Sequence, residues 1–314
     1  MAQVHGIHHV TAIAGEAQEN LDFYTGVLGA RLVKRSVNQD ATDTYHLFYA
    51  DRDGNPGTDL TFFPWPGMGP GSQGAGHAVE VGLAVPTGSL GRWAQRLADA
   101  GVEVSEPTPR FGEETFVARD PHGLPLAFTE AALPLDAAPW ERSPVPAEEQ
   151  LRGFHAVRVL ERRMEPTAGF LANALGFEEA GEEDGWRRFV VEGGGSSRIV
   201  EVREDPESRR GAGGAGAVHH VAVRVGDDQE LLAVRERALR AGANPTPVID
   251  RFWFHSVYFR EPGGVLFELA TEGPGFAVDE DAERLGEHLV LPPWLEPKRA
   301  EIEAGLPPLS PTPG

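Results

Sequence analysis

The chain repeats one segment of its sequence, and this repeat is the feature that most limits how it can fold. The segment Thr108–Gly123 (TPRFGEETFVARDPHG) aligns without a gap on Ile249–Gly264 (IDRFWFHSVYFREPGG). Both segments carry an arginine near the start, and a second arginine and a proline near the end. Repeated supersecondary units bury their apolar faces against one another, so the chain is expected to fold as an array of such units.

Each copy sits in the same predicted arrangement of secondary structure. A predicted helix precedes each copy, in the stretches SLGRWAQRLADAGVEV and QELLAVRERALRAGANP. The apolar residues of these stretches recur every three or four positions, and a glycine ends each helix. An alternating strand precedes each helix, and another strand, LPLAFTE or VLFELAT, follows each copy. The pattern predicts a strand, a helix and three strands, which is a βαβββ module.

The same module can be read twice more, so four modules are predicted. They span residues 4–66, 76–130, 150–204 and 217–272. We expect an α+β chain with an N-terminal domain at 1–130, a linker at 131–149 rich in proline and alanine, a C-terminal domain at 150–272 and an extension at 273–314.

Composition narrows the range of functions. The chain has no cysteine, so thiolate metal sites, iron–sulfur clusters and a cysteine nucleophile are excluded, and any metal must bind His, Asp or Glu. A net charge of −20 speaks against a nucleic-acid partner. No signal peptide or membrane-spanning stretch is recognised, so we expect a cytoplasmic protein without a membrane partner. The sequence leaves open whether the chain forms a homo-oligomer.

Two histidine pairs stand in matching apolar settings, IHHVTA near the start and VHHVAV in the fourth module. Successive side chains of a strand point to opposite faces. His219 shares its face with three valines, which are expected to pack on the helix, and His8 is placed similarly. Alternation therefore predicts that His9 and His220 face a cavity.

Glu268 lies in the middle of the apolar strand VLFELA. An unpaired carboxylate costs several kcal/mol to bury, so Glu268 is expected to meet a cation. Two imidazoles and one carboxylate on a curved sheet form a facial triad that binds Fe(II) and leaves positions open. A single histidine on a strand is more often a hydrogen-bonded core residue, but the recurrence of the pair together with Glu268 favours a metal site of His9, His220 and Glu268.

The matching positions of the other modules depend on which modules pair. If the first pairs with the fourth, Thr61 completes the cavity without adding a ligand. If the second pairs with the third, the cavity offers His155 and Glu201 as ligands and Glu80 as a further candidate, and Ala127 at the remaining position cannot bind a metal. We expect this to be a degenerate site in which Arg158 and Arg198 pair with the acids.

The modules, with HHV near the start, FYTGVLG at the helix exit and GGVLFELAT at the end, resemble the vicinal oxygen chelate superfamily, which includes glyoxalases, bleomycin-binding proteins and extradiol dioxygenases. Stretches such as YHLFYAD, RGFHAVRV and DRFWFHSVYFREPGGVLFELAT are similar to its ring-cleaving dioxygenases of the hydroquinone type. The resemblance implies two curved mixed β-sheet half-barrels with helices outside. It also implies Fe(II), with Mn(II) as an alternative, and a small aromatic substrate with O2.

In that group the metal ligands fall on His9, His220 and Glu268. The resemblance places catalytic residues at Tyr258, His219 and Arg251, and substrate-binding residues at His8 and Thr11. The implied reaction opens the ring of a hydroquinone or catechol bound at Fe(II). Two alternatives are a metal-dependent lyase or isomerase of the glyoxalase type, which needs a second Glu where Thr61 stands, and a non-catalytic binding module, which lacks the ligands.

Overall fold

The computed structural model describes residues 3–133 and 137–310, and four βαβββ modules follow one another along this part of the chain. The first module consists of β1 (Ile7–Ala14), α1 (Ala17–Leu21, continued by a π-helical turn at Asp22–Val27), β2 (Arg31–Asn38), β3 (Ala41–Ala50) and β4 (Asp59–Pro64). The second consists of β5 (His77–Val85), α2 (Leu90–Asp99), β6 (Thr108–Arg110), β7 (Glu113–Arg119) and β8 (Pro125–Glu130).

The third and fourth modules repeat this order. The third consists of β9 (Phe154–Glu161), α3 (Met164–Phe170, continued by a π-helical turn at Leu171–Leu175), β10 (Glu178–Glu183), β11 (Trp186–Val190) and β12 (Ile199–Glu204). The fourth consists of β13 (Val218–Val225), α4 (Asp228–Arg240), β14 (Ile249–Asp250), β15 (Phe254–Arg260) and β16 (Leu266–Pro274). The extension that follows holds 3-10 turns and a terminal helix, α5 (Arg299–Gly305).

The strands form two mixed sheets of eight strands each, in the orders β14-β15-β16-β13-β1-β4-β3-β2 and β10-β11-β12-β9-β5-β8-β7-β6. Within each module the first and last strands run parallel, for example β1 with β4 and β13 with β16. The predicted α+β fold of four modules in two curved half-barrels is confirmed.

Each sheet joins two modules that are not assigned to the same predicted domain. β1 pairs with β13, so the first sheet combines the first and fourth modules, and β5 pairs with β9, so the second combines the second and third. The division into domains at 1–130 and 150–272 stays a prediction, and part of the linker, 134–136, lies outside the described residues.

The helices cover one face of each sheet. In the fourth module, the fully buried side chains Val221, Val223 and Val225 of β13 belong to the same core cluster as Leu231 and Val234 of α4. Burying a side chain of this size stabilises the fold by roughly 1.5–3 kcal/mol. The opposite face of the sheet is thereby left to line a cavity.

β-bulges interrupt the pairing of β1 with β13 at both histidine pairs. The register runs from Ile7 opposite Val223 to His9 opposite Ala222, so His8 is the extra residue. It then shifts between Thr11 opposite His220 and Ala12 opposite Val218, so His219 is the extra residue there. A bulge breaks strict alternation and re-aims a side chain.

The extension is anchored to the first module by a buried lysine. The Nζ atom of Lys34 donates to the carbonyl of Phe276 at 2.9 Å, to Asp279 at 2.8 Å and to Glu280. It also lies 5.3 Å from the centre of the Trp253 ring. Trp253 lines the cavity of the first sheet, so this anchor supports one wall of that cavity.

Candidate metal centre

Three neighbouring strands bring the predicted ligands together. His9 of β1 lies opposite Ala222 of β13, and Ala222 lies beside Glu268 of β16. His220, two residues before Ala222, points into the same space. A small residue at position 222 therefore leaves room between three long side chains.

The three donor atoms converge on one point. The Nε2 atoms of His9 and His220 are 3.2 Å apart, and they lie 3.3 and 2.9 Å from Oε2 of Glu268. Bonds of about 2.1 Å to one ion place neighbouring donors of an octahedron about 3.0 Å apart. The spacing of the donors therefore fits one triangular face of an octahedral metal site, and they form the one group of three possible metal ligands within residues 3–133 and 137–310.

An unsatisfied oxygen supports this interpretation. Glu268 is fully buried, and its Oε2 accepts no hydrogen bond from the described residues, although both imidazoles are close. Its other oxygen, Oε1, accepts a hydrogen bond of 2.5 Å from Ser256. A buried carboxylate oxygen without a donor is costly unless a cation satisfies it. The residues present therefore fit a metal ion.

The charges of Glu268 and His220 agree with this donor set, whereas the Glu268 carboxylate outweighs burial and raises the pKa of His9 above its ordinary value. Burial disfavours a charged carboxylate, but the two imidazoles hold the pKa of Glu268 well below its usual range. Burial lowers the pKa of His220. An anionic carboxylate and a neutral imidazole are the forms that bind a metal ion.

The ligands lie at the base of a cavity with aromatic walls. Phe63, Trp253 and Phe254 line it, and the Phe254 ring lies 5.3 Å from that of His9. Polar residues surround its mouth at the turn between β2 and β3, where Asp40 accepts a hydrogen bond of 2.8 Å from Arg251. A flat apolar molecule with polar edges suits such a cavity.

The predicted catalytic residues Tyr258 and Arg251 line this cavity, and the Arg251 guanidinium lies 5.4 Å from the centre of the Tyr258 ring. Burial and the Glu268 carboxylate raise the pKa of Tyr258. The phenol therefore keeps its proton near neutral pH.

His8, His219 and Thr11 are not among the described residues that line the cavity, although each contacts a predicted ligand. The Nδ1 atoms of His8 and His9 are 2.9 Å apart, and those of His219 and His220 are 2.8 Å apart. The cavity lining agrees with the prediction from alternation that His9 and His220 are the cavity-facing members, while the Nδ1 atoms of each pair meet at the bulges. The roles of all eight predicted site residues stay predictions.

A row of hydroxyl groups connects the centre to a histidine that sequence reasoning missed. Thr11 Oγ1 lies 2.9 Å from Nε2 of His220 and 2.7 Å from Oγ1 of Thr61, which lies 2.9 Å from Nε2 of His46. Burial lowers the pKa of His46 well below its usual range. Alternation along YHLFYAD places His46 on the face of Phe48, and this signal would have found it.

Two further polar residues near the centre were missed. Ser256 is fully buried beside Glu268 on the neighbouring strand, and no sequence signal marks it. Asp59 is buried in register with His9, and neither of its oxygens has a hydrogen-bond partner in the described chain. Burial raises the pKa of Asp59 to about 7.

The equivalent cavity of the second sheet is filled by ion pairs. Glu201 binds Arg158 at 2.6 Å and Arg188 at 2.7 Å, and Arg110 binds Glu80 at 2.6 Å. The predicted pairing of Arg158 with these acids is confirmed. The prediction for Arg198 is wrong, because it pairs with Glu192 at 3.2 Å on a turn outside the cavity.

The fold and the site thus define a protein of four βαβββ modules with two histidines and one carboxylate at the seam of two modules. A profile of the Glyoxalase/Bleomycin resistance protein/Dioxygenase superfamily matches residues 6–128 and 153–269. The chain belongs to this superfamily.

Curated relatives match almost the whole chain. MhqO of Bacillus subtilis (strain 168), named as a proposed ring-cleaving dioxygenase, is 42% identical over 96% of this chain and 95% of its own length. The chlorohydroquinone/hydroquinone 1,2-dioxygenase of Sphingobium indicum is 35% identical over 96% of this chain and 95% of its own length. These relatives confirm the prediction that the chain is an enzyme of the ring-cleaving dioxygenase group.

Solved structures agree on the fold. A crystal structure of a proposed dioxygenase of Bacillus subtilis superposes with a TM-score of 0.94 at 41% identity, covering 99% of both chains. Glyoxalase I of Zea mays, at 16% identity and a TM-score of 0.64 over 85% of this chain and 92% of its own, shares the fold alone. No helix of residues 3–133 and 137–310 has the length and apolar character needed to span a membrane.

Proposed function

We propose that the protein is an Fe(II)-dependent dioxygenase that opens the ring of a hydroquinone or catechol with O2. The observation that carries the proposal is the convergence of His9, His220 and Glu268, with one carboxylate oxygen left unsatisfied, at the base of an aromatic cavity. A relative named for chlorohydroquinone and hydroquinone as substrates supports the substrate class. Mn(II) is the alternative ion for the same donors.

The ligand set suits this chemistry. His9, His220 and Glu268 would hold a ferrous ion, which would supply a redox-active Lewis acid for a substrate hydroxyl and O2. The aromatic side chains Phe63, Trp253 and Phe254 position a flat ring by stacking and exclude water from the cavity.

The polar residues of the cavity stabilise charge and transfer protons. The protonated phenol of Tyr258 donates a hydrogen bond to an oxygen of the ring that becomes anionic and gives its proton to that oxygen as a general acid, and a proton from solvent restores the phenol. The guanidinium of Arg251 stabilises negative charge at the cavity mouth. His8 and His219 hold the rings of His9 and His220 through their Nδ1 atoms, so we assign both a positioning role.

Thr61 separates this proposal from a glyoxalase-type reaction, which needs a second carboxylate at that position as a base. Its hydroxyl is bound to Thr11 and His46, and it supplies neither a fourth charged ligand nor a base. The complete set of three ligands equally disfavours a binding module without catalysis.

Anaerobic reconstitution with Fe(II), followed by iron analysis and O2 uptake with a panel of hydroquinones and catechols, tests the proposal. We expect Glu268→Gln to lose both the iron and the O2 uptake. Glu201→Gln, at the equivalent position of the second sheet, is expected to keep both. Turnover of a hemithioacetal under nitrogen without O2 uptake for any ring substrate would contradict the proposal.

A further inference from the structure

A second cavity, away from the metal centre, lies where three parts of the chain meet. The first module contributes Leu21 and Leu32, the linker contributes Trp140, and the extension contributes Leu285 and Leu309. The groove between them has a volume of about 500 Å3, a size typical of small-molecule sites. We call it the linker groove.

Three arginines line the linker groove together with these apolar side chains. Arg31 is only 4% exposed, and its two terminal nitrogens donate to the carbonyls of Arg52 at 2.5 Å and Ala282 at 2.8 Å. Its Nε is buried without a hydrogen-bond partner in the described chain. Carbonyl oxygens satisfy the donors of a guanidinium but do not neutralise its charge.

Arg35, four residues further along β2, is half-buried and also lacks a direct ion pair. It donates to the hydroxyl of Tyr45 at 3.2 Å and lies 5.3 Å from the centre of that ring, while its Nε has no partner in the described residues. Within residues 3–133 and 137–310, no carboxylate oxygen lies within ion-pair distance of Arg31 or Arg35.

The acid nearest to the third arginine is already engaged. Arg142 lies 3.9 Å from Glu287, whose carboxylate accepts a hydrogen bond of 2.9 Å from Arg284. Three carboxylates, those of Glu283, Asp53 and Glu287, act on Arg31, but only from beyond ion-pair distance. A buried guanidinium whose counter-charges lie beyond direct contact is incompletely compensated, and a bound anion would give it a direct partner.

We propose that the linker groove binds a small amphipathic carboxylate, with its carboxylate group on the arginines and its apolar body against Leu21, Leu285 and Trp140. A guanidinium binds a carboxylate through two parallel hydrogen bonds. A mostly apolar groove that also contains Glu287 favours a singly charged head group over a phosphate. The site is independent of the metal centre, because none of its lining residues lines the aromatic cavity.

Isothermal titration of the full-length, iron-loaded protein tests this site. Octanoate is the probe for a ligand with an aliphatic body, and 3-phenylpropionate is the probe for a ligand with an aromatic body. Octanamide lacks the charge, and acetate lacks the apolar body. We expect at least one of the two larger carboxylates to bind, and octanamide and acetate to bind at least tenfold more weakly.

Two variants locate the binding. Gly26 lines the groove, and a Cβ atom added there meets no atom within 4 Å, so Gly26→Phe is expected to fill the groove, leave the fold intact and abolish binding. Arg35→Met is expected to weaken binding by about tenfold or more. Gly91→Phe, which is equally unobstructed, and Arg119→Met, whose guanidinium donates to a carbonyl, are the matched controls.

Several results would overturn the proposal. Absence of binding by both carboxylates, equal binding of octanamide, or displacement of the carboxylate by inorganic phosphate at equal concentration would each exclude this ligand class. Unchanged binding in Gly26→Phe, with an unaltered circular dichroism spectrum, would place the ligand elsewhere.

Discussion

At the scale of single residues, Glu268 shows how the environment of one side chain carries the chemistry. Its neighbours along the strand, Phe267 and Leu269, are apolar, and Ser256 is the single described hydrogen-bond donor to its carboxylate. That bond leaves Oε2 directed at the two imidazoles. Such outer contacts orient a ligand and tune its affinity for a metal.

Ser256→Ala is expected to lower the affinity for Fe(II) by about 10–100-fold, because the carboxylate loses the bond that orients it. Anaerobic titration with a competing chelator measures the change. Ser196→Ala, in the turn before β12 and beside His155, is the control and is expected to bind iron normally. Equal affinities of all three proteins would exclude an orienting role for Ser256.

Tyr258→Phe is expected to lower kcat by about 10²–10⁴-fold with iron content unchanged, because a positioned acid is lost while the ligands stay. Steady-state O2 uptake and iron analysis on the same samples measure both. Unaltered turnover would remove Tyr258 from the catalytic residues.

At the scale of secondary-structure elements, the extension depends on Lys34 of β2. The lysine side chain is fully buried, and the side chains of Asp279 and Glu280 are only 16% and 8% exposed. Taking one partner out of such a group leaves the others buried without compensation. These buried charges therefore add to the apolar contacts of Phe276, Leu285, Leu291 and Ile302, which also hold the extension.

Lys34→Met is expected to reduce the free energy of unfolding by about 3–5 kcal/mol, measured by urea denaturation. Lys298→Met, at the exposed lysine of the extension, is the control and is expected to change it by less than about 0.5 kcal/mol. Adding Asp279→Asn and Glu280→Gln to Lys34→Met is expected to restore part of the loss. A loss that persists in full would show that packing, not unpaired charge, is responsible.

At the scale of the whole molecule, His5 links the two sheets. Its Nδ1 lies 2.7 Å from Glu192, in the turn between β11 and β12, and its Nε2 lies 2.9 Å from Glu230 of α4. Burial opposes protonation of the imidazole, but the two carboxylates outweigh it and raise the pKa of His5 above its ordinary 6.5. A protonated His5 can donate to both carboxylates at once.

A raised pKa in the folded state means that the stabilisation by His5 is complete below pH 6.5 and is lost as the pH rises through the folded-state value. The difference in free energy of unfolding between the native protein and His5→Gln is therefore expected to shrink as the pH rises above 6.5. Urea denaturation at several pH values measures it, with the exposed His288→Gln as control. A difference independent of pH would contradict the link.

Much of the fold and three residues of the site follow from the order of the amino acids alone. Repeats, alternation and glycine positions are local patterns, and they predicted the four modules, the cavity-facing positions of His9 and His220 and the unusual acid Glu268. Local patterns are encoded within one strand or one module, so they can be read without knowing what packs against them.

Only the tertiary structure decided the rest. It paired the first module with the fourth and the second with the third, placed bulges at both histidine pairs, set Ser256 and His46 beside the centre and filled the second cavity with arginines. It also enclosed the linker groove from three distant segments. The reason is physical: these contacts join residues far apart in the chain, and their geometry depends on the packing of whole sheets rather than on any local pattern.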